Sequence, residues 1–79
     1  MPKLRRISGK EVVKLLNKEG FLAIRQKGSH VRLRRVDKTG THEITVPMHK
    51  ELDRGTLRSV IRSLEKNLPE KTIKNLFYT

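Results

Sequence analysis

The dipeptide Gly28-Ser29 constrains this chain more than any other feature. It separates residues 21–27 from residues 30–36, two runs in which apolar and basic side chains alternate. Glycine first in a two-residue loop suits a type II′ turn, whose twist matches that of the strands it joins. Such a turn fixes the register. Lys27 faces His30, Gln26 faces Val31, Arg25 faces Arg32, and Ile24 faces Leu33. Side chains alternate across a strand, so Leu22, Ile24, Val31 and Leu33 are predicted to share one face. Arg25, Lys27, His30, Arg32 and Arg34 share the other.

A third strand extends the pattern beyond Asp37-Lys38-Thr39-Gly40, which is turn chemistry. Residues 41–47 alternate again. Pairing Val36 with Thr41 sets Leu33 against Ile44 and Val31 against Val46 on the apolar face. The same register sets Arg34 opposite Glu43, a cross-strand pair of opposite charge. It also brings His30 opposite Pro47, where the strand is expected to end.

Helical signals flank this meander. Ser8 and Glu11 have capping-box spacing, and Ile7 and Val12 stand where a hydrophobic staple would close around the cap. Val12, Val13, Leu15 and Leu16 recur at helical spacing, and Gly20 suits a left-handed terminator. A helix is predicted over 9–19. Residues 48–55 read as a polar connection ending in Gly55, with Thr56 as N-cap of a second helix. Leu57, Val60, Ile61 and Leu64 line its apolar face, while Arg58 and Arg62 point away from it. Pro69 followed by Ile73, Leu76 and Phe77 predicts a short C-terminal helix. The first seven residues, including Lys3, Arg5 and Arg6, have no periodicity and read as a loose basic arm.

The expected architecture is therefore α+β: a three-stranded antiparallel sheet with two helices on one face and a short helix after them. Seventy-nine residues make one small domain with a limited core. Its parts are the arm (1–7), the core (8–66) and the tail (67–79). The second sheet face stays open and basic.

Charge narrows the partners. Lys and Arg number 19 against 8 acidic residues, for a net charge of +11. Residues 1–40 carry 12 basic and 3 acidic side chains, residues 41–79 only 7 and 5. Such an imbalance points to a polyanionic partner, nucleic acid or an acidic protein. Two Phe, one Tyr and no Trp leave too few rings for a base-stacking platform, so recognition would rest on backbone, shape and 2′-hydroxyl contacts. There is no cysteine, which excludes disulfides, thiolate metal sites and cysteine nucleophiles. No apolar run approaches a membrane span of about 18 residues, and no signal-peptide region opens the chain. A cytoplasmic protein without a membrane partner is expected.

The open face is where function should lie, since the other face is needed for the core. Arg25, Lys27, Arg32 and Arg34 form a cationic patch suited to phosphates. His30 stands in its middle, beside Gly28, which permits close backbone approach to a ligand. Histidine is the side chain best suited to moving a proton near neutral pH. His49 follows Pro47 by two residues, which brings a second imidazole towards the same place. Two imidazoles at a cationic phosphate site resemble the parts of a metal-free ribonuclease. His42 has the parity of the buried face and is the poorer candidate. His30 and His49 have no evident third ligand for a metal, so neither a metal nor another cofactor is expected. A non-catalytic RNA-binding module using the same face is the alternative. A third class is an interaction protein whose basic face docks an acidic partner.

Four short runs occur in order: Gly20-Phe21, Gln26-Lys27-Gly28-Ser29-His30, Val46-Pro47-Met48-His49, and Gly55-Thr56-Leu57-Arg58. Together they resemble the HicA toxin family over about residues 8–66. The resemblance implies a double-stranded-RNA-binding-like α-β-β-β-α fold and a metal-independent endoribonuclease acting on mRNA. It also implies a HicB-type antitoxin that masks the site, within a type II toxin–antitoxin module. The family's catalytic histidine follows Gly-Ser, which is His30 here, and its second recurring histidine maps to His49. Arg25, Lys27, Gly28, Ser29, Arg32 and Arg34 are the candidate RNA-binding residues. Arg32 departs from the pattern, standing where the family often carries an apolar or aromatic residue.

Overall fold

The computed structural model describes residues 3–79. In chain order it contains α1 (Gly9–Lys18), β1 (Leu22–Lys27), β2 (His30–Asp37), β3 (Gly40–Pro47), α2 (Arg54–Leu64) and α3 (Glu70–Phe77). The strands form one antiparallel sheet in the order β1-β2-β3. The expected α+β arrangement, with its short third helix, is the one the chain adopts.

Helix α1 starts on the capping box. The Glu11 amide donates to Ser8 Oγ at 3.0 Å, and the Ser8 amide donates to Glu11 Oε1 at 3.1 Å. The Ser8 amide, together with the Ser8 hydroxyl that donates to the same oxygen at 3.0 Å, holds the Glu11 carboxyl below its ordinary pKa. Gly20, at φ +89°, makes the left-handed turn after the C-cap Glu19.

Helix α2 begins earlier than the sequence predicts. Its N-cap is Asp53, not Thr56: Oδ1 of Asp53 accepts the Thr56 amide at 2.7 Å, and Oδ2 accepts the Thr56 hydroxyl at 3.1 Å. Aspartate is among the strongest N-caps, and its charge is favoured at the positive end of the helix dipole. Gly55 therefore lies inside the first turn of α2 and does not end the connection. Leu57, Val60, Ile61 and Leu64 are buried as expected.

The β2–β3 register follows the sequence throughout, with Leu33 opposite Ile44, Arg34 opposite Glu43 and His30 opposite Pro47. The β1–β2 register follows it only near the turn. Lys27 pairs with His30, Gln26 with Val31 and Arg25 with Arg32, but Leu33 then meets Ala23 and Arg34 meets Leu22. Ile24 is the extra residue of a β-bulge. Leu22 and Ile24 are consequently not core residues; they are 62% and 44% exposed.

The reason is a conflict of parity. Phe21, Ala23, Arg25 and Lys27 would all lie on one face of a regular strand. Phe21 is fully buried, its amide bonded to the Leu16 carbonyl at 2.9 Å, whereas Arg25 and Lys27 belong on the open face. One inserted residue reconciles the two demands. Burying the aromatic ring, which removes roughly 150–250 Å² from water, takes precedence over burying Leu22 and Ile24. The Arg35 guanidinium covers the Phe21 ring, 5.8 Å from its centroid.

The N-terminal arm is not loose from residue 3 onward. The Lys3 amide donates to the Thr79 carbonyl at 3.0 Å, the Thr79 amide donates back to Lys3 at 2.8 Å, and the Arg5 amide donates to Phe77 at 2.8 Å. Leu4 and Tyr78 form an antiparallel bridge, so the two ends of the chain clasp each other. The arm's first two residues lie outside the described residues. Ile7, Val12, Leu16 and Phe21 join Val31, Leu33, Ile44 and Val46 from the sheet and the apolar stripes of α2 and α3 in one core.

Candidate functional site

The Gly28-Ser29 turn places His30. Gly28 has φ +59°, and no residue other than glycine has positive φ among the described residues, as a type II′ turn requires. His30 and Lys27 close the hairpin as direct cross-strand partners, a geometry that sets their Cβ atoms about 4.5–5.5 Å apart. Both are exposed.

One backbone hydrogen bond ties this turn to the segment after β3, and two more hold that segment against the residues around the start of α1. The Met48 amide donates to the Ser29 carbonyl at 2.6 Å, the Gly9 amide to His49 at 3.0 Å, and the Leu52 amide to Ile7 at 2.9 Å. His30 and His49 thus follow immediately on the acceptor and donor residues of one hydrogen bond. Gly9 permits the close approach: a Cβ there would overlap the Pro47 carbonyl oxygen and crowd Met48. Gly9 carries little signal in the sequence, only that of a small residue just inside a capped helix.

Of the three histidines, His42 is the one engaged in side-chain hydrogen bonds. Its Nε2 lies 2.7 Å from Thr39 Oγ1 and 3.1 Å from Asp37 Oδ1. It lies on β3 beside the β2–β3 turn, at the opposite end of the strands from His30. The Thr39 hydroxyl and amide, followed by His42, pull the Asp37 carboxyl down to about 2. His30 and His49 stand exposed.

The cationic patch divides into two parts. Arg25 and Lys27 on β1 enter no ion pair among the described residues. Arg32 and Arg34 on β2 do, because Glu43 of β3 bridges them. Arg32 Nε donates to Glu43 Oε1 at 2.6 Å; Arg34 Nε and Nη2 donate to Oε2 at 2.9 and 2.6 Å. Arg32 Nη1 also donates to Thr45 Oγ1 at 3.2 Å. These donors, Arg32 foremost, lower the Glu43 pKa. The sequence predicted the Arg34–Glu43 pair but not the capture of Arg32. Its signal was available, since Glu43 and Arg32 are diagonal neighbours in that register.

The open face also carries apolar groups. Leu22 and Val36, 62% and 71% exposed, fall on the side of Arg34 through the bulged register. Around His49, Asp53 has its pKa lowered chiefly by the Thr56 amide and hydroxyl, and slightly by the His49 charge. Among the described residues, no three His, Asp or Glu side chains gather as a metal-binding group, and no helix is long and apolar enough to cross a membrane.

A family model described as the HicA toxin of bacterial toxin–antitoxin systems matches residues 9–66. That span runs from the first residue of α1 to just past α2 and includes His30 and His49. The clasped termini and α3 fall outside it. No curated protein and no solved structure matches the chain.

Proposed function

The chain belongs to the HicA toxin family, and from that premise we propose that it is a metal-independent endoribonuclease acting on mRNA, with His30 as its proton-transfer group. The observation that carries this reading is the position of His30: exposed, directly opposite an unpaired Lys27, and one residue from the bond that draws in the His49 segment.

The reaction follows from those groups. A base takes the proton of a ribose 2′-hydroxyl, and the oxygen attacks the adjacent phosphorus. The P–O5′ bond breaks, and an acid returns a proton to the departing 5′-oxygen. The products are a 2′,3′-cyclic phosphate and a 5′-hydroxyl. His30 serves as one of the two proton carriers and His49 is the candidate for the other. Lys27 and Arg25 stabilise charge building on the phosphate oxygens. Arg32 and Arg34 can contribute only by exchanging Glu43 for phosphate, and the Gly28-Ser29 backbone offers a close approach. DNA, without a 2′-hydroxyl, does not react.

The partner that restrains such a toxin is proposed to be a HicB-type antitoxin covering the open face. Exposed Leu22 and Val36 beside cations supply the mixed apolar and charged surface that a protein partner needs. RNA need not use those apolar groups.

The test is cleavage of a structured RNA, with and without EDTA, by the parent and by His30→Ala. The parent is expected to cut equally in both conditions and to leave cyclic phosphate ends. His30→Ala is expected to lose about 10² to 10⁴ in rate while still binding. Parent binding without cutting would replace this reading with the non-catalytic RNA-binding module.

A further inference from the structure

The outer face of α2 carries Arg54, Arg58 and Arg62, all exposed. Their i, i+4 spacing stacks three like charges along one side of the helix, an arrangement that destabilises a helix. Arg54 is also the first residue of α2, at the positive end of its dipole, where a cation is disfavoured. None of the three enters an ion pair among the described residues. Local physics opposes this stripe twice, and such conflicts concentrate at functional sites.

A groove adjoins it. Lys3, Leu4, Arg54, Arg58 and Tyr78 line a depression of about 320 Å³ between α2 and the clasped termini, with no acidic side chain in its wall. The nearest acids along the chain, Glu51 and Asp53, line the neighbouring depression, which shares Lys3, Leu4 and Arg54 with this one, and Asp53 is committed to the α2 cap. Lys3, Leu4 and Tyr78 lie outside the matched span of residues 9–66.

We propose that this groove is a second phosphate-binding site: Lys3, Arg54 and Arg58, extended by Arg62, hold the sugar–phosphate backbone of RNA that flanks the scissile bond. The inference rests on the RNA-cleaving reading given above. Two observations favour RNA over a protein occupant. The outward residues of α2 are Arg54, Arg58, Ser59, Arg62 and Ser63, the side-chain types that contact phosphate oxygens. They include no apolar group to form the dry centre of a protein interface; the exposed apolar residues Leu22, Ile24 and Val36 are all on the sheet. The Met48–Ser29 bond ties the His30 hairpin to the segment that leads into α2, and the Gly9–His49 and Leu52–Ile7 bonds hold that segment against the residues around the start of α1. From Arg54 to Arg62 the stripe runs about 12 Å along the helix axis, enough for several successive phosphates.

The experiment measures binding of a fluorescent RNA hairpin by anisotropy across a salt series, with His30→Ala as the uncut reference. In that background Arg54→Gln/Arg58→Gln/Arg62→Gln is expected to weaken binding and lower the log–log salt slope by up to about 2.1–2.7, three contacts at 0.7–0.9 each. The matching triple Lys variant, which keeps the charge, is expected to retain most of that slope. Circular dichroism melting confirms that both fold. Unchanged affinity and slope in the Gln variant overturn the second site, and parent cleavage in parallel leaves the His30 reading standing. Unchanged RNA binding together with lost binding of an acidic antitoxin also overturns it, in favour of a protein-docking surface. Absence of RNA binding by both the parent and the His30→Ala reference removes both readings.

Discussion

Glu43 should act as a brake on RNA binding. Its two oxygens occupy Arg32 and Arg34 at 2.6–2.9 Å, so either arginine can meet a phosphate only by giving up a carboxylate. Glu43→Gln keeps the size of the side chain and removes the charge. Two guanidiniums then become available where the parent has to break charged hydrogen bonds first. Each new phosphate contact adds about 0.7 to the log–log salt slope for single strands and about 0.9 for duplex, so the slope should steepen by about 1.4–1.8. Affinity should rise most at low salt, where exposed charges are least screened. The assay is RNA binding by His30→Ala and by His30→Ala/Glu43→Gln across a salt series. A Glu43→Gln protein that binds more weakly, with a shallower slope, would refute the reasoning. It would mean that Glu43 aims the two arginines at phosphate instead of competing with it.

Gly9→Ala should destabilise by about 1–3 kcal/mol, the usual cost of forcing atoms into a packed site, because its Cβ meets the Pro47 carbonyl; thermal melting reads this as a fall of at least about 4 °C. Leu33→Ala should cost about 2–5 kcal/mol, while Ile24→Ala should stay within about 0.5 kcal/mol, since the bulge leaves Ile24 44% exposed and Leu33 fully buried; equal losses in chemical denaturation would restore the unbulged register. The Asp37 carboxyl, near 2 in the fold against about 3.9 unfolded, contributes stability that is present above about pH 4 and lost as pH falls through about 2. Asp37→Asn should remove that acid-limb dependence in melting curves recorded against pH, and carboxyl NMR should give the depressed titration directly.

The sequence specified the elements well because their signals are local or differ by a fixed offset. A capping box spans four residues, and a two-residue turn propagates one register through β2 and β3 without error. His30 was legible for the same reason: the turn and the strand parity together fix its face and its partner Lys27. What escaped was decided by competition between demands on one segment. In β1, Phe21 and Arg25 have the same parity but opposite needs, and no pattern rule says which slips; the volume of the ring settles it by inserting Ile24. The clasp of Lys3–Arg5 with Phe77–Thr79 depends on backbone bonds between opposite ends of the chain, which no local pattern encodes. The charge of the open face is decided by competition in the same way. Counting Arg25, Lys27, Arg32 and Arg34 as one patch treats cations as additive, but Glu43 removes two from immediate use. Among the described residues Arg25 and Lys27 of β1, the bulged edge strand, stay unpaired, and Lys27 stands directly opposite His30. The bulge that withdraws Leu22 and Ile24 from the core is thus the same feature that keeps Arg25 and Lys27 turned towards the open face. Burying Phe21 and exposing the cations beside His30 are one structural decision.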